Sequence, residues 1–254
     1  MGKLSGKTAL VTGSSRGIGR TTAVGLAREG ALVAVHYAHN EQAARETVEL
    51  IEKDGGRAFT VGAELGVPGD IDQLFHGLEA GLKQHTGQTT LDILVNNAAE
   101  ASNGTAPEEV SADEFDKTFA VNVRAPFFIV QRALGLIPDG GRIINISSGL
   151  TGIASPSQTV YSMSKGALEQ LTKHFARHLA PRRITVNNVL PGVVDNGHEA
   201  FKIPELREQL SQVSAYKRLA EPKDVAGVVC FLTTDEAEWI TGASLDVTGG
   251  SLLG

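Results

Sequence analysis

Tyr161 and Lys165 stand four residues apart in the run Tyr161-Ser162-Met163-Ser164-Lys165, and Ser148 lies thirteen residues upstream of the tyrosine. On a helix, a spacing of i to i+4 stacks phenol and ammonium on one face. A phenol with a free pKa of about 10 is a poor proton-transfer group at neutral pH. A fixed cation beside it favours the phenolate and draws its pKa towards the working range. The spacing alone recurs on many ordinary helices, so the case depends on the elements that position this pair.

The chain has 254 residues, enough for one large core. Its net charge of −6, with no compensating Lys/Arg cluster, argues against a nucleic-acid surface. A single cysteine, Cys230, sits in an apolar run and has no disulfide partner, which fits a reducing compartment. The N-terminus lacks the apolar region of a signal peptide, and no apolar run approaches the ~18 residues of a membrane span. A cytoplasmic protein without membrane contact is expected.

Short β-branched runs alternate with helical patterns along the whole chain. Strands are expected at 8–12, 32–37, 58–62, 91–96, 142–147, 184–189 and 244–247, apolar almost throughout, as when both faces are covered. Helices are expected at 19–29, 41–53, 71–84, 112–136, 161–179 and 222–232. This alternation predicts an α/β fold, a Rossmann-like doubly wound parallel sheet of seven strands with helices on both faces. No repeat or linker divides the chain, so residues 1–254 are read as one dinucleotide-binding and catalytic domain. The regularity breaks at 195–216, after Pro191-Gly192. That segment reads as a lid over a substrate pocket or as a small packing helix.

The first strand runs into Thr12-Gly13-Ser14-Ser15-Arg16-Gly17-Ile18-Gly19 and then a helix. Glycines at such a turn let backbone approach a pyrophosphate, which the helix N-terminus favours. The spacing is G-x-x-x-G-x-G, not the G-x-G-x-x-G of the common fingerprint. Gly13-Ser14-Ser15-Arg16-Gly17 also satisfies G-x-S-x-G, the nucleophile elbow of serine hydrolases. That rival needs an oxyanion donor from an upstream loop, yet only twelve residues precede Gly13. It also needs an acid and a histidine downstream, and no histidine lies in an evident catalytic loop. The nucleotide reading is preferred.

Taken in order, these residues resemble the short-chain dehydrogenase/reductase family over essentially the whole chain. The resemblance rests on the Thr12–Gly19 turn, Asn96-Asn97-Ala98, Asn122, Ser148 closing its strand, Tyr161 with Lys165, and Pro191-Gly192. There are departures. Ala99 stands where the family usually has Gly, Glu64 where it has Asp, Asn196 where it often has the Thr that holds the nicotinamide amide, and Thr248 where V-D-G-G has Asp.

The resemblance implies a nicotinamide cofactor across the carboxyl ends of the strands and hydride transfer to or from a carbonyl carbon. Tyr161 would be the general acid or base, and Lys165 would lower its pKa and bond the nicotinamide ribose. Ser148 would hold the substrate oxygen, and Asn122 would anchor a water for proton resupply. Carried onto this chain, the cofactor contacts begin with Gly13, Ser15, Arg16, Gly17, Ile18 and Gly19 in the turn. They continue through Tyr37, His39 and Asn40, then Glu64 and Leu65, then Asn97, Ala98 and Ala99. Tyr161, Lys165, Pro191, Gly192, Val194 and Asn196 complete them. The substrate would meet Glu100, Ser148, Leu150, Tyr161 and Val193, with Ala101, Ser102, Gly149, Thr151 and Val194 in the wall.

An NAD site usually has an acidic residue at the end of the second strand, on the adenosine ribose diol. Here that position is Tyr37, so a 2′-phosphate meets no carboxylate, and Arg16 can reach it. Glu41, close by, weighs the other way. NADP(H) is favoured over NAD(H). The largely apolar wall suits a hydrophobic or aromatic ketone. Within the family, the chain looks like polyketide and naphthol-type ketoreductases, with β-ketoacyl-thioester reductases as the alternative. A non-catalytic dinucleotide-sensing regulator is a further alternative, although the chain keeps both Tyr161 and Lys165. His174 and His178 stand at i, i+4 without a third ligand, so no metal site is expected. Related proteins commonly pair the 112–136 and 161–179 helices, which implies a homotetramer.

Overall fold

The computed structural model describes residues 2–101, 104–197 and 199–253. Its strands are β1 (Thr8–Val11), β2 (Leu32–Tyr37), β3 (Arg57–Gly62), β4 (Ile93–Asn96), β5 (Arg142–Ile146), β6 (Thr185–Pro191) and β7 (Ser244–Val247). They form one sheet in the order β3-β2-β1-β4-β5-β6-β7, with every neighbouring pair parallel. The expected seven-stranded α/β architecture is therefore present, with strand ends shifted by one or two residues.

The alternation within each strand sorts its side chains between two cores. Leu10, Ala34, Leu94 and Ile143 face a layer built by α3 (Asp70–Thr86), α5 (Ala125–Ala133) and α6 (Thr159–Leu179). Their neighbours Val11, Val35, Val95 and Ile144 face α1 (Gly17–Arg28), α2 (Glu41–Lys53) and α8 (Pro222–Leu232). Each fully buried Leu, Val or Ile among them contributes about 1.5–3 kcal/mol. Together they hold the strand ends that carry the site.

One expected helix is divided. Residues 112–136 form α4 (Ala112–Phe119), a π-helical turn at Ala120–Arg124 and then α5. Pro126 has no N–H to return to the carbonyl of Asn122 four residues earlier, so the regular ladder cannot continue there. Asn122 sits buried in the middle of that turn. The 195–216 segment carries a 3-10 turn at Glu199–Lys202 and the short helix α7 (Pro204–Ser211), which starts without a side-chain cap.

The strand order reverses between β1 and β4. A crevice opens at that point outside the carboxyl ends of the strands, the usual ligand position of open α/β sheets.

Candidate active site

The glycine turn is held from several sides. Gly13 and Gly17 have φ of 63° and 58°, a region that only glycine enters without strain. Asn97 Nδ2 donates to the carbonyls of Thr12 (2.8 Å) and Gly13 (3.1 Å). The Thr12 hydroxyl oxygen accepts from the Asn97 and Ala98 amides. The Gly13 N–H donates to His36 Nδ1 at 2.9 Å. A methyl group on Gly19 would lie 2.4 Å from the Gly13 oxygen and 2.5 Å from Asn97 Nδ2. Backbone is thus kept bare along the cradle, as approach of a pyrophosphate requires.

The cleft beside this turn has a volume of about 690 Å³, within the range of small-molecule and cofactor sites. All the residues expected to contact a dinucleotide line it, from Gly13–Gly19 at one end to Pro191, Gly192, Val194 and Asn196 at the other. Glu41 does not line it; its carboxylate is held by Arg45 at 2.6 Å and accepts a hydrogen bond from the Tyr37 hydroxyl. The adenosine end has Arg16, Tyr37, His39 and Asn40, with two acids nearby, Glu41 behind Tyr37 and Glu64 3.7 Å from His39. The residues fit a dinucleotide.

At the other end α6 brings Tyr161 and Lys165 onto one face, next to Ser148 at the end of β5. The Ser148 oxygen accepts the Leu150 N–H at 3.2 Å, and a hydrogen bond joins Ser148 to Tyr161. Lys165 is fully buried, donates to the Ile146 carbonyl at 2.8 Å, and lies 5.5 Å from the centre of the Tyr161 ring. Burial pushes the Tyr161 phenol up to about 12, with the Ser148 bond pulling the other way. Burial lowers Lys165 to about 8. The expectation that Lys165 draws the phenol towards neutrality is not met in this geometry. The ammonium is held by the Ile146 carbonyl, and desolvation dominates both groups.

Asn122 does not line the cleft. Its amide clamps the backbone of Glu100, accepting from the amide at 2.8 Å and donating to the carbonyl at 3.0 Å, and also donates to Ser164 Oγ. A side chain so committed holds α4, α6 and the Glu100 strand end together. Two expected substrate contacts are also placed elsewhere. Leu150 lies in the turn after Ser148, outside the cleft lining. Val193 faces a separate cavity of about 160 Å³ with Leu210, Tyr216 and Thr248, because Val194 takes the cleft side of the chain. Ser102 lies outside the described residues.

Among the cleft residues that were not anticipated, two carry ionisable side chains. Lys117 reaches in from α4 and pairs with Glu100 at 2.8 Å. His36 lines the cleft from inside the apolar β2, where a lone histidine was a readable sign. Both His36 ring nitrogens are engaged, by the Gly13 N–H and the Ala63 carbonyl, so it is no base for Ser15.

Residues 13–251 match the family described as enoyl-(acyl carrier protein) reductase. The chain belongs to the short-chain dehydrogenase/reductase family. It is 66% identical to the promiscuous reductase LugOII, which catalyses keto-reduction at C1 during lugdunomycin biosynthesis (TM-score 0.98, covering 99% of this chain and 100% of that one). It is 65% identical to the angucycline C-6 ketoreductase LanV with bound NADP, again at a TM-score of 0.98, covering 100% of this chain and 98% of that one. Versicolorin reductase stcU of Emericella nidulans is 38% identical over 263 residues, covering 98% of this chain and 97% of its own.

Proposed function

We propose that this short-chain dehydrogenase/reductase is an NADPH-dependent ketoreductase acting on a polycyclic aromatic polyketide of the angucycline type. The observation that carries the reading is the placement of Ser148, Tyr161 and Lys165 at one end of a dinucleotide-shaped cleft whose other end has Tyr37 in place of an acid. Whole-length similarity to LugOII and LanV, the latter crystallised with NADP, supports both the cofactor and the substrate class.

The bound dinucleotide would supply the hydride, held by the glycine turn, Asn97–Ala99 and Lys165. Ser148 would donate its hydroxyl proton to the ketone oxygen, since its own oxygen already accepts from Leu150. Tyr161, with a pKa of about 12, keeps its proton across the working range and would deliver it to the alkoxide in reduction. Lys165 would offer its remaining N–H groups to the nicotinamide ribose and place positive charge over the face of the Tyr161 ring. Asn122 would act by fixing Glu100 and Ser164, with the proton route running past its backbone.

The 195–216 segment would serve as the lid, its exposed Ile203, Val213 and Tyr216 offering apolar surface to a planar substrate. Exposed Phe127, Phe128 and Met163 on α5 and α6 would form the contact between subunits of a homotetramer. The lone Cys230, its thiol pushed up to about 11 by burial, suits a cytoplasmic setting.

The deciding experiment is initial rates with NADPH and NADH against a tetracyclic angucycline ketone, a β-ketoacyl thioester, an enoyl thioester and a simple aliphatic ketone. The tetracyclic ketone with NADPH should be fastest, with NADPH preferred at least about tenfold. Preference for NADH removes the cofactor assignment, and faster turnover of a thioester removes the substrate class. Tight dinucleotide binding with no turnover would favour a regulator.

A further inference from the structure

We propose that His36 is a positioning residue for the dinucleotide, tying the glycine turn to the carboxyl end of β3 so that both present one preformed cradle. The proposal rests on the dinucleotide reading of the cleft and adds a residue that the catalytic and cofactor patterns leave out.

His36 is buried in a strand of otherwise apolar and aromatic residues, Leu-Val-Ala-Val-His-Tyr. Its Nδ1 is 2.9 Å from the Gly13 amide nitrogen, and its Nε2 is 2.9 Å from the Ala63 carbonyl oxygen. The two partners have fixed roles: an amide N–H only donates and a carbonyl only accepts. The ring is therefore the neutral tautomer with its proton on Nε2. Burial lowers its pKa to about 4, which keeps that form at physiological pH. The backbone repeats the tie, since Ser14 N–H donates to the His36 carbonyl and the His36 N–H donates to Ser14 Oγ.

Both linked segments belong to the cleft. Gly13 opens the turn at a positive φ, and Glu64 and Leu65, which follow Ala63, line the adenosine side. On its far side Gly13 is already fixed by Asn97 and packed against Ala98. His36 closes the remaining side. An apolar ring of similar size would leave the part-buried Gly13 N–H and the buried Ala63 carbonyl without these partners. The backbone bonds of Ser14 to position 36 and of Ala63 to Tyr37 would still hold both segments to β2, but the direct link between them through the ring would be lost, and binding would have to restore their spacing.

The two bonds can be tested apart. His36→Asn keeps an acceptor at the δ position, His36→Gln keeps a donor at the ε position, and His36→Phe keeps neither. NADPH binding would be followed by its fluorescence, with kcat and KM for the ketone measured alongside thermal unfolding. In His36→Phe the NADPH Kd should rise about tenfold or more, the scale of a buried hydrogen bond lost, while kcat at saturating NADPH stays within about twofold. His36→Asn should bind within about threefold of the parent, and His36→Gln should resemble His36→Phe, because the bond to Gly13 carries most of the effect. The proposal is overturned if His36→Phe binds NADPH like the parent, if Asn and Gln are indistinguishable, or if kcat falls without a change in Kd. Should His36→Phe fail to fold, the contrast between Asn and Gln decides. A parent protein that binds neither dinucleotide overturns the cleft reading itself, and this proposal with it.

Discussion

Around the glycine turn nearly every polar group is engaged and backbone packs against backbone, whereas the 195–216 segment is mostly exposed. In the first region Thr12, Ser14, His36 and Asn97 lock a few residues between β1, β2 and β4. In the second, among its described side chains, only Ser211 and Ser214 are buried, and α7 has eight residues. A segment with so few buried contacts opens at low free-energy cost, while the turn opens only with the core. The glycine turn thus behaves as a frame, and on the proposed function the 195–216 segment would be an adjustable wall. LugOII and LanV are named for reduction at C1 and C-6, yet this chain is 66% and 65% identical to them, so overall identity does not decide which carbonyl is reduced.

The sharpest division between the halves comes from the centre they share. Tyr161→Phe removes the proposed proton donor and none of the bonds that hold the glycine turn. Turnover should fall by about a thousandfold, within the range for loss of a positioned acid, with NADPH binding changed less than about twofold. In the parent protein, the reduction rate should be full below about pH 8 and fall above it, as Lys165 loses its proton. Tyr161, near 12, should stay protonated across that range. Stopped turnover with intact NADPH titration supports the division; wild-type turnover in Tyr161→Phe removes Tyr161 from the mechanism, and an alkaline limb near 10 or higher removes Lys165 as its source.

The frame itself is probed by two glycine substitutions of equal size. Gly19→Ala puts a methyl against the Gly13 oxygen and Asn97, whereas Gly227→Ala in α8 meets no heavy atom within 4 Å. The first should weaken NADPH binding by more than about tenfold and lower the unfolding temperature. The second should leave binding unchanged and stabilise the helix by about 0.5–1 kcal/mol. NADPH titration and thermal unfolding of both variants check this. Equal behaviour of the two would mean that the turn is less rigid than its contacts indicate.

The same contrast decides what the sequence could reveal. The sheet was legible because its strands are continuous apolar runs and its turns carry glycine. The residues that line the cleft were legible because most sit at strand ends, where spacing along the chain translates directly into position. The interrupted helix was not, since apolar periodicity continues across Asn122 and only Pro126 marks the break. Val193 and Leu150 were misplaced for a related reason. In irregular segments no period says which side a residue faces, so Val193 and Val194 could not be separated. The tyrosine–lysine pair shows a third limit. Its spacing was right, but whether the ammonium meets the hydroxyl or the ring depends on Ile146, whose carbonyl holds Lys165 and is invisible as a side-chain signal.

The smallest expected effect tests the adjustable wall. Arg207 in α7 reaches back 2.5 Å to Asp195, whose other oxygen accepts the Gly197 N–H. The hydrogen bond from Arg207 holds the Asp195 carboxyl below its usual range, so the contact is favourable as formed. Both side chains remain partly in water, which limits the pair to less than about 1 kcal/mol. Arg207→Ala should therefore lower the unfolding temperature by no more than about 2–4 °C. If 195–216 is the lid, the cost should appear as a two- to fivefold higher KM for the ketone, with NADPH affinity unchanged, because only the wall loses an anchor. An equal loss in NADPH affinity would mean that the segment is part of the frame, and the boundary between the two halves would have to move to include it.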